Sequence, residues 1–233
     1  MSAPHQRSAR LEAVIFDVNE TLTDLSPLRD AFVRVGLGAS ALRWWFAVVL
    51  RDGFALSAVG DTASFGELAA TSLDEVAHDS GRELSEGETD VVMDAFAAVP
   101  LHSDVAPALE RLRNSGVGAY ALTNGSSAFA RQRLDAGGVL PLFTEVVSVE
   151  SVGHWKPRLE PYLYALEVIG RPAAPVALVA AHPWDLHGAS SVGLVTGWVN
   201  RDARRYPSVF RAPQAQAQDL VTLVDSLLAL AEE

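Results

Sequence analysis

Residues 11–16 run Leu-Glu-Ala-Val-Ile-Phe and turn polar at Asp17, and no comparable apolar run returns until 117–122. Short apolar runs bounded by polar or turn residues read as buried strands. Three more follow, at 145–149, 176–181 and 194–199. Between them apolar positions recur at helical spacing over 104–115, 126–136, 158–169 and 184–192, and a last such stretch covers 220–231. Gly170 follows the third of these helices, where a helix commonly ends. Strands that are apolar throughout and alternate with helices predict a parallel sheet covered on both faces, an α/β fold.

The gap of about a hundred residues between the first two strands is mostly helical in pattern, with expected helices at 27–35, 39–50, 65–80 and 85–98. Ser85 followed by Glu88 is a capping-box signature. Helices without interleaved strands do not extend a βαβ sheet. The expected organisation is therefore a core of residues 11–25 and 100–233 with a helical cap, 26–99, inserted after the first strand. The alternative is that these helices only decorate the core. Residues 207–218, rich in Pro, Ala and Gln, read as a surface loop. No internal repeat is visible.

Composition narrows the classes. A chain of 233 residues with 49% hydrophobic content suits one α/β domain with a smaller insertion. No stretch of 18 apolar residues predicts a membrane span. Residues 1–10 are polar and basic without an apolar segment, so no secretory signal is expected. The absence of cysteine removes disulfides and thiolate chemistry and fits a cytoplasmic protein. A net charge of −11 argues against nucleic acid as a partner. An anionic substrate would need locally supplied positive charge, from Lys, Arg or helix N-termini.

Chemistry-bearing residues stand at the ends of the predicted strands. Asp17 ends the first, where the loops of a parallel sheet line a crevice. A carboxylate there can serve as a nucleophile, or simply form a turn or cap a helix. Thr123-Asn124-Gly125-Ser126 follows the second strand and opens a helix, Lys156-Pro157 precedes another helix, and Trp184-Asp185 follows the fourth strand. This order, spanning residues 11 to 201, resembles the haloacid dehalogenase superfamily of aspartate-nucleophile hydrolases, and most closely its L-2-haloacid dehalogenase branch. The resemblance implies a Rossmann-like parallel-sheet core with an inserted helical cap.

It also implies roles. Asp17 would be the nucleophile, with Thr21 and Leu22 completing its motif. Thr123 and Asn124 would bind the substrate anion, and Lys156 would offset the clustered carboxylates. Tyr162, six residues after Lys156, matches the dehalogenase spacing and, like Thr21, would bind substrate, or would simply pack its helix. Asp185 would hold Lys156 or activate water, as in the dehalogenases, or bind magnesium, as in the phosphatases. Phosphatases of the superfamily usually carry a second Asp two residues after the nucleophile, as proton donor to the leaving alkoxide. Here that position is Asn19, which cannot exchange a proton at neutral pH, whereas a departing halide needs none. No cofactor is then required, although Asp17, the Asn19 carbonyl and Asp185 could hold magnesium.

The sequence departs from the branch in Ala180-Ala181-His182-Pro183-Trp184-Asp185, where the family has Ser-Ser-Asn-x-Trp-Asp. Ala180 lacks a hydroxyl, and His182 replaces an amide and would orient water or contact substrate. A cap arginine is also expected, either Arg43 or Arg51. Arg51 is favoured because Gly53 interrupts its segment and could turn it into the cleft. The neighbouring Trp44, Trp45 and Phe46 read as cap core more than as a halide cradle. The expected activity is hydrolytic removal of halide from short 2-halocarboxylic acids through an ester on Asp17. A magnesium-dependent phosphatase is the alternative, and a non-catalytic protein of the same fold a third. The expected partner is a small anionic substrate, and a homodimer is compatible with this reading.

Overall fold

The computed structural model describes residues 10–230; the polar start over 1–9 and the end of the last expected helix, at Ala231, lie outside the described residues. β1 (Ala13–Phe16) is followed by four helices, α1 (Leu28–Arg34), α2 (Ala41–Val59), α3 (Phe65–Asp79) and α4 (Glu86–Ala97). The chain then alternates through α5 (Val105–Asn114), β2 (Gly118–Thr123), α6 (Ser127–Ala136), β3 (Glu145–Ser148), α7 (Leu159–Ile169), β4 (Val176–Ala180), α8 (Pro183–Ser191), β5 (Val195–Val199), β6 (Ala215–Ala217) and α9 (Leu220–Leu230).

The six strands form one parallel sheet in the order β3-β2-β1-β4-β5-β6. β1 is central, and the chain leaves it toward β2 on one side and returns to β4 on the other. Crossovers that diverge in this way open a crevice beyond the C-terminal strand ends. Asp17 follows β1 there, and Asp17 N–H donates to Val179 O of β4. β1 and β4 are buried at every position, which explains their continuous apolar sequences.

Among the described residues no strand of the sheet falls between 26 and 99. An antiparallel bridge between Thr23 and Leu101 joins the two ends of this segment to the core. The four helices bury their own cluster around Phe32, Trp45, Leu73 and Phe96. Both α3 and α4 begin with reciprocal capping boxes, Ser64 with Glu67 and Ser85 with Glu88. Trp155, from the loop before α7, joins the helical cluster, and its N–H donates to Ser57 Oγ of α2. Phe129 of α6 stacks on Phe96 of α4, with centroids 5.3 Å apart. The helical segment thus packs against the core through aromatic contacts.

Two expectations from the pattern change. The helix expected to stop at residue 50 runs on to Val59, straight through Gly53. That glycine is a contact, not a break: a Cβ there would overlap the Trp155 indole. The loop expected over 207–218 contains β6, a short edge strand paired with β5. Its Ala-Gln-Ala sequence carries almost no strand propensity, and only the neighbouring strand supplies its partner.

Candidate active site

Three strand ends and two loops bring their polar side chains together. Lys156 lies fully buried at the centre, and each of its three ammonium protons has an acceptor. These are Asp17 Oδ1 at 2.9 Å, Asp185 Oδ2 at 2.6 Å and Leu122 O at 2.9 Å. Asn124 holds the Lys156 backbone from both sides, accepting from its N–H at 2.9 Å and donating to its carbonyl at 3.3 Å. The Asn124 side chain thus ties down the loop that carries the lysine, a structural role beside the anion-binding one expected of it. Thr123 Oγ1 accepts from Gly125 N–H at 2.9 Å at the same turn.

The remaining carboxylate oxygens are also held. Thr21 donates to Asp17 Oδ2 at 2.7 Å and accepts from Ala181 N–H at 2.9 Å, tying the β1 loop to the β4 loop. Tyr162 donates its hydroxyl to Asp185 Oδ1 at 2.6 Å. Gly188 of α8 makes room for that ring, since a Cβ would stand 2.6 Å from the Tyr162 hydroxyl.

The two aspartates are driven apart electrostatically. Burial pushes Asp17 upward, but the Lys156 ammonium, His182 and the Thr21 hydrogen bond outweigh it and hold its carboxyl below the usual range. Asp185 is raised: burial and the charge of Asp17 exceed the help it receives from Lys156 and Tyr162. Burial alone would lower Lys156, yet the flanking carboxylates raise it and keep it charged. Burial and Asp185 push the Tyr162 phenol well above its ordinary value, so it remains a donor. An ionised Asp17 beside a permanent cation is the state a carboxylate nucleophile needs.

These donors do not suit magnesium. The ammonium already spans Asp17 and Asp185, and the second oxygen of Asp185 is engaged by Tyr162. The Asn19 carbonyl, the third ligand considered, faces His182 Nε2 at 3.3 Å. Among the described residues no cluster of three or more His, Cys, Asp or Glu has metal-binding geometry.

An open cleft of about 360 Å³ is bordered by Glu20, Arg29, Arg43, Phe46, His182 and Arg201; His182 reaches both the cleft and Asp17, which does not itself line the cleft. His182 caps the N-terminus of α8, with its ring stacked between Phe46 and Trp184. Its Nε2 is 3.6 Å from Glu20 Oε2 and 3.9 Å from Asp17 Oδ2.

The preference for Arg51 over Arg43 is overturned. Because α2 continues through Gly53, Arg51 stays on its outer face and forms exposed ion pairs with Asp52 and Glu75. Arg43 lines the cleft and has no ion-pair partner among the described residues. Trp45 and Phe46 are buried in the helical cluster, as expected, whereas Trp44 is exposed and stands outside it, and Phe46 also reaches His182. Glu20 was not singled out from the sequence, although it lies inside the Asp17 motif. Its signal is conformational: φ is +60°, which no sequence pattern marked.

A carboxylate at the switch point of a parallel sheet, kept ionised by a buried lysine, defines a hydrolase of the aspartate-nucleophile class. A family model for haloacid dehalogenase-like hydrolases matches residues 11–193, and the chain belongs to that family. The chain is 27% identical over 220 residues to (S)-2-haloacid dehalogenase H-109 of Pseudomonas putida, covering 94% of this chain and 98% of that one. It is 25% identical over 206 residues to haloacetate dehalogenase H-2 of Moraxella sp. strain B, covering 88% and 92%. The fold matches that of L-2-haloacid dehalogenase from Xanthobacter autotrophicus with chloropropionic acid covalently bound. The TM-score is 0.85 at 22% identity, over 92% of this chain and 97% of that one.

Proposed function

We propose that this protein is a hydrolytic dehalogenase that displaces halide from short 2-halocarboxylic acids through an ester on Asp17, without a metal. The observation that carries the reading is the Lys156 ammonium bridging Asp17 and Asp185 at 2.9 and 2.6 Å. It keeps the nucleophile ionised and fixes it beside the second carboxylate. Asn19 supports the same reading, since an amide supplies no proton to an alkoxide and a halide needs none. The dehalogenase relatives make (S)-2-chloropropionate and chloroacetate the first substrates to try.

Oδ1 of Asp17 points at the buried lysine, while Oδ2 accepts from Thr21 and lies on the His182 side. Oδ2 is therefore the attacking oxygen. It forms a bond to C2 as the carbon–halogen bond breaks, and an in-line displacement inverts that carbon. Oδ1 becomes the ester carbonyl, and Lys156 is placed to stabilise the negative charge it acquires when water adds. Arg43, on the helical side, meets the substrate carboxylate or the departing halide. Residues 26–99 act as the cap over this site.

Chloride release from (S)-2-chloropropionate in the presence of EDTA tests the proposal. Single turnover in ¹⁸O-water should place the label in Asp17 and leave the first hydroxy acid unlabelled. Turnover restricted to phosphate esters with added magnesium would reverse the assignment.

A further inference from the structure

Hydrolysis of an ester on Asp17 needs a group to take a proton from water, and the buried constellation leaves none free. Asp185 is fully buried, with one oxygen on Lys156 and the other on Tyr162. Lys156 has spent its three protons and carries no lone pair. Position 180, at the end of β4, is alanine and offers no hydroxyl. Thr21 already donates to Asp17 and accepts from Ala181 N–H.

We infer that His182 is the general base of the hydrolytic step and that Glu20 is its positioning residue. This rests on the dehalogenase reading and adds to it the machinery of the second half-reaction. His182 Nε2 lies at the edge of the cleft, 3.9 Å from Asp17 Oδ2 and 3.6 Å from Glu20 Oε2. Both separations are too long for a direct hydrogen bond. The attacking water must then sit to one side of this pair, within hydrogen-bond reach of Nε2 and next to the Asp17 carboxyl.

Glu20 Oε2 and the Asn19 carbonyl, 3.3 Å away, are both acceptors facing Nε2. Phe46 and Trp184 clamp the ring with centroids 6.0 and 5.1 Å away and interplanar angles of 22° and 21°. Glu20 itself has φ +60°, a left-handed conformation that a residue with a side chain seldom adopts, and its N–H is held by Thr23 Oγ1 at 3.2 Å. Unusual backbone retained at the rim of a site is a pointer to use. Here it turns the carboxylate toward His182.

The step balances as follows. Water oxygen bonds to Cγ of the Asp17 ester, and one water proton passes to His182 Nε2. The tetrahedral intermediate collapses, breaking the bond between Cγ and the oxygen attached to the substrate carbon. The departing alkoxide takes the proton from the imidazolium and leaves as the 2-hydroxy acid. The regenerated Asp17 carboxyl loses its proton to solvent, and the charge beside Lys156 is restored.

The test separates the two half-reactions with (S)-2-chloropropionate under pre-steady-state conditions. In His182→Ala, about one equivalent of chloride should appear per active site at close to the wild-type rate. Hydroxy acid release should then stall by ~10²–10⁴-fold, the usual range for a lost general base. Intact-protein mass should show the propionyl adduct, and peptide mapping should locate it on Asp17. Glu20→Gln should accumulate the same adduct with a smaller delay. Equal slowing of chloride and acid release with no adduct would make His182 a substrate-binding residue and overturn the inference. If His182→Ala fails to fold, Glu20→Gln decides, because its side chain is 41% exposed; unchanged acid release and no adduct there would also overturn it. Absence of chloride release by the wild-type enzyme is a different result, which removes the dehalogenase reading and this inference with it.

Discussion

The two sides of the site are built on opposite terms. On the sheet side, Asp17, Lys156, Asp185 and Tyr162 are buried and nearly every polar atom is paired within the group. On the helical side, Arg43 is exposed and unpaired by any carboxylate among the described residues, and Phe46 presents an apolar face to His182. A saturated buried network resists rearrangement, because breaking one partner strands a charge. It suits chemistry that must be repeated with the same atoms in the same place. Unspent groups on a separate segment suit recognition, because their partner arrives with the substrate. The side that performs the displacement and the side that selects the acid should therefore respond differently to mutation.

The largest effect is expected on the sheet side. Asp17→Asn should lower halide release by roughly 10⁴-fold or more, since no carboxylate that lines the cleft lies against Lys156 and an amide is a poor nucleophile. Chloride electrode traces at high enzyme concentration measure it. Activity above a hundredth of wild type would break the contrast at its root.

Lys156→Met should damage both folding and function. It leaves Asp17 and Asp185 facing each other without a cation, and removal of one partner from a buried pair costs about 3–5 kcal/mol. Chemical denaturation gives the stability change. A variant as stable as the parent would mean that the network is not the rigid half of the site.

Arg43→Ala should raise KM for 2-chloropropionate and lower kcat/KM by about 10–100-fold, the scale of one lost charge-assisted hydrogen bond. Arg51→Ala, on the same helix, should change kcat/KM by less than about twofold, because its exposed pairs lie outside the cleft. Reversal of these two effects would put recognition on the other face of α2.

A smaller effect is expected from pH on the halide-releasing step. Asp17 is held below its ordinary value, so its ionised form is present above about pH 4 and is lost only as pH falls further. Lys156 is raised, so its charge persists through its ordinary value near 10.4 and is lost only above it. The chloride burst should then be flat from about pH 5 to about pH 9. An acid limb inside that window would contradict the ionised Asp17 on which the sheet side depends.

The chain pattern by itself determined the alternation of strands and helices, the parallel sheet and the stretch without strands after Phe16. Those follow from local periodicity, which needs only neighbours in sequence. The motifs likewise marked Asp17, Thr123, Lys156 and Asp185 as strand-end residues, because position after an apolar run is readable in one dimension. What each does with its hydrogen bonds was decided elsewhere. Asn124 looked like an anion ligand, and its side chain also clamps the Lys156 backbone 32 positions away. Gly53 looked like a helix break and is the flat spot where Trp155 packs, about a hundred residues later in the chain. α2 runs straight through that glycine, which leaves Arg51 on the outside. β6 and the pairing of Glu20 with His182 share the same origin: an edge strand needs a neighbour, and a base needs a carboxylate at the right distance. Local sequence sets which residues can donate, accept or bend. Packing between distant segments decides which of those capacities are already used and which remain free for a substrate.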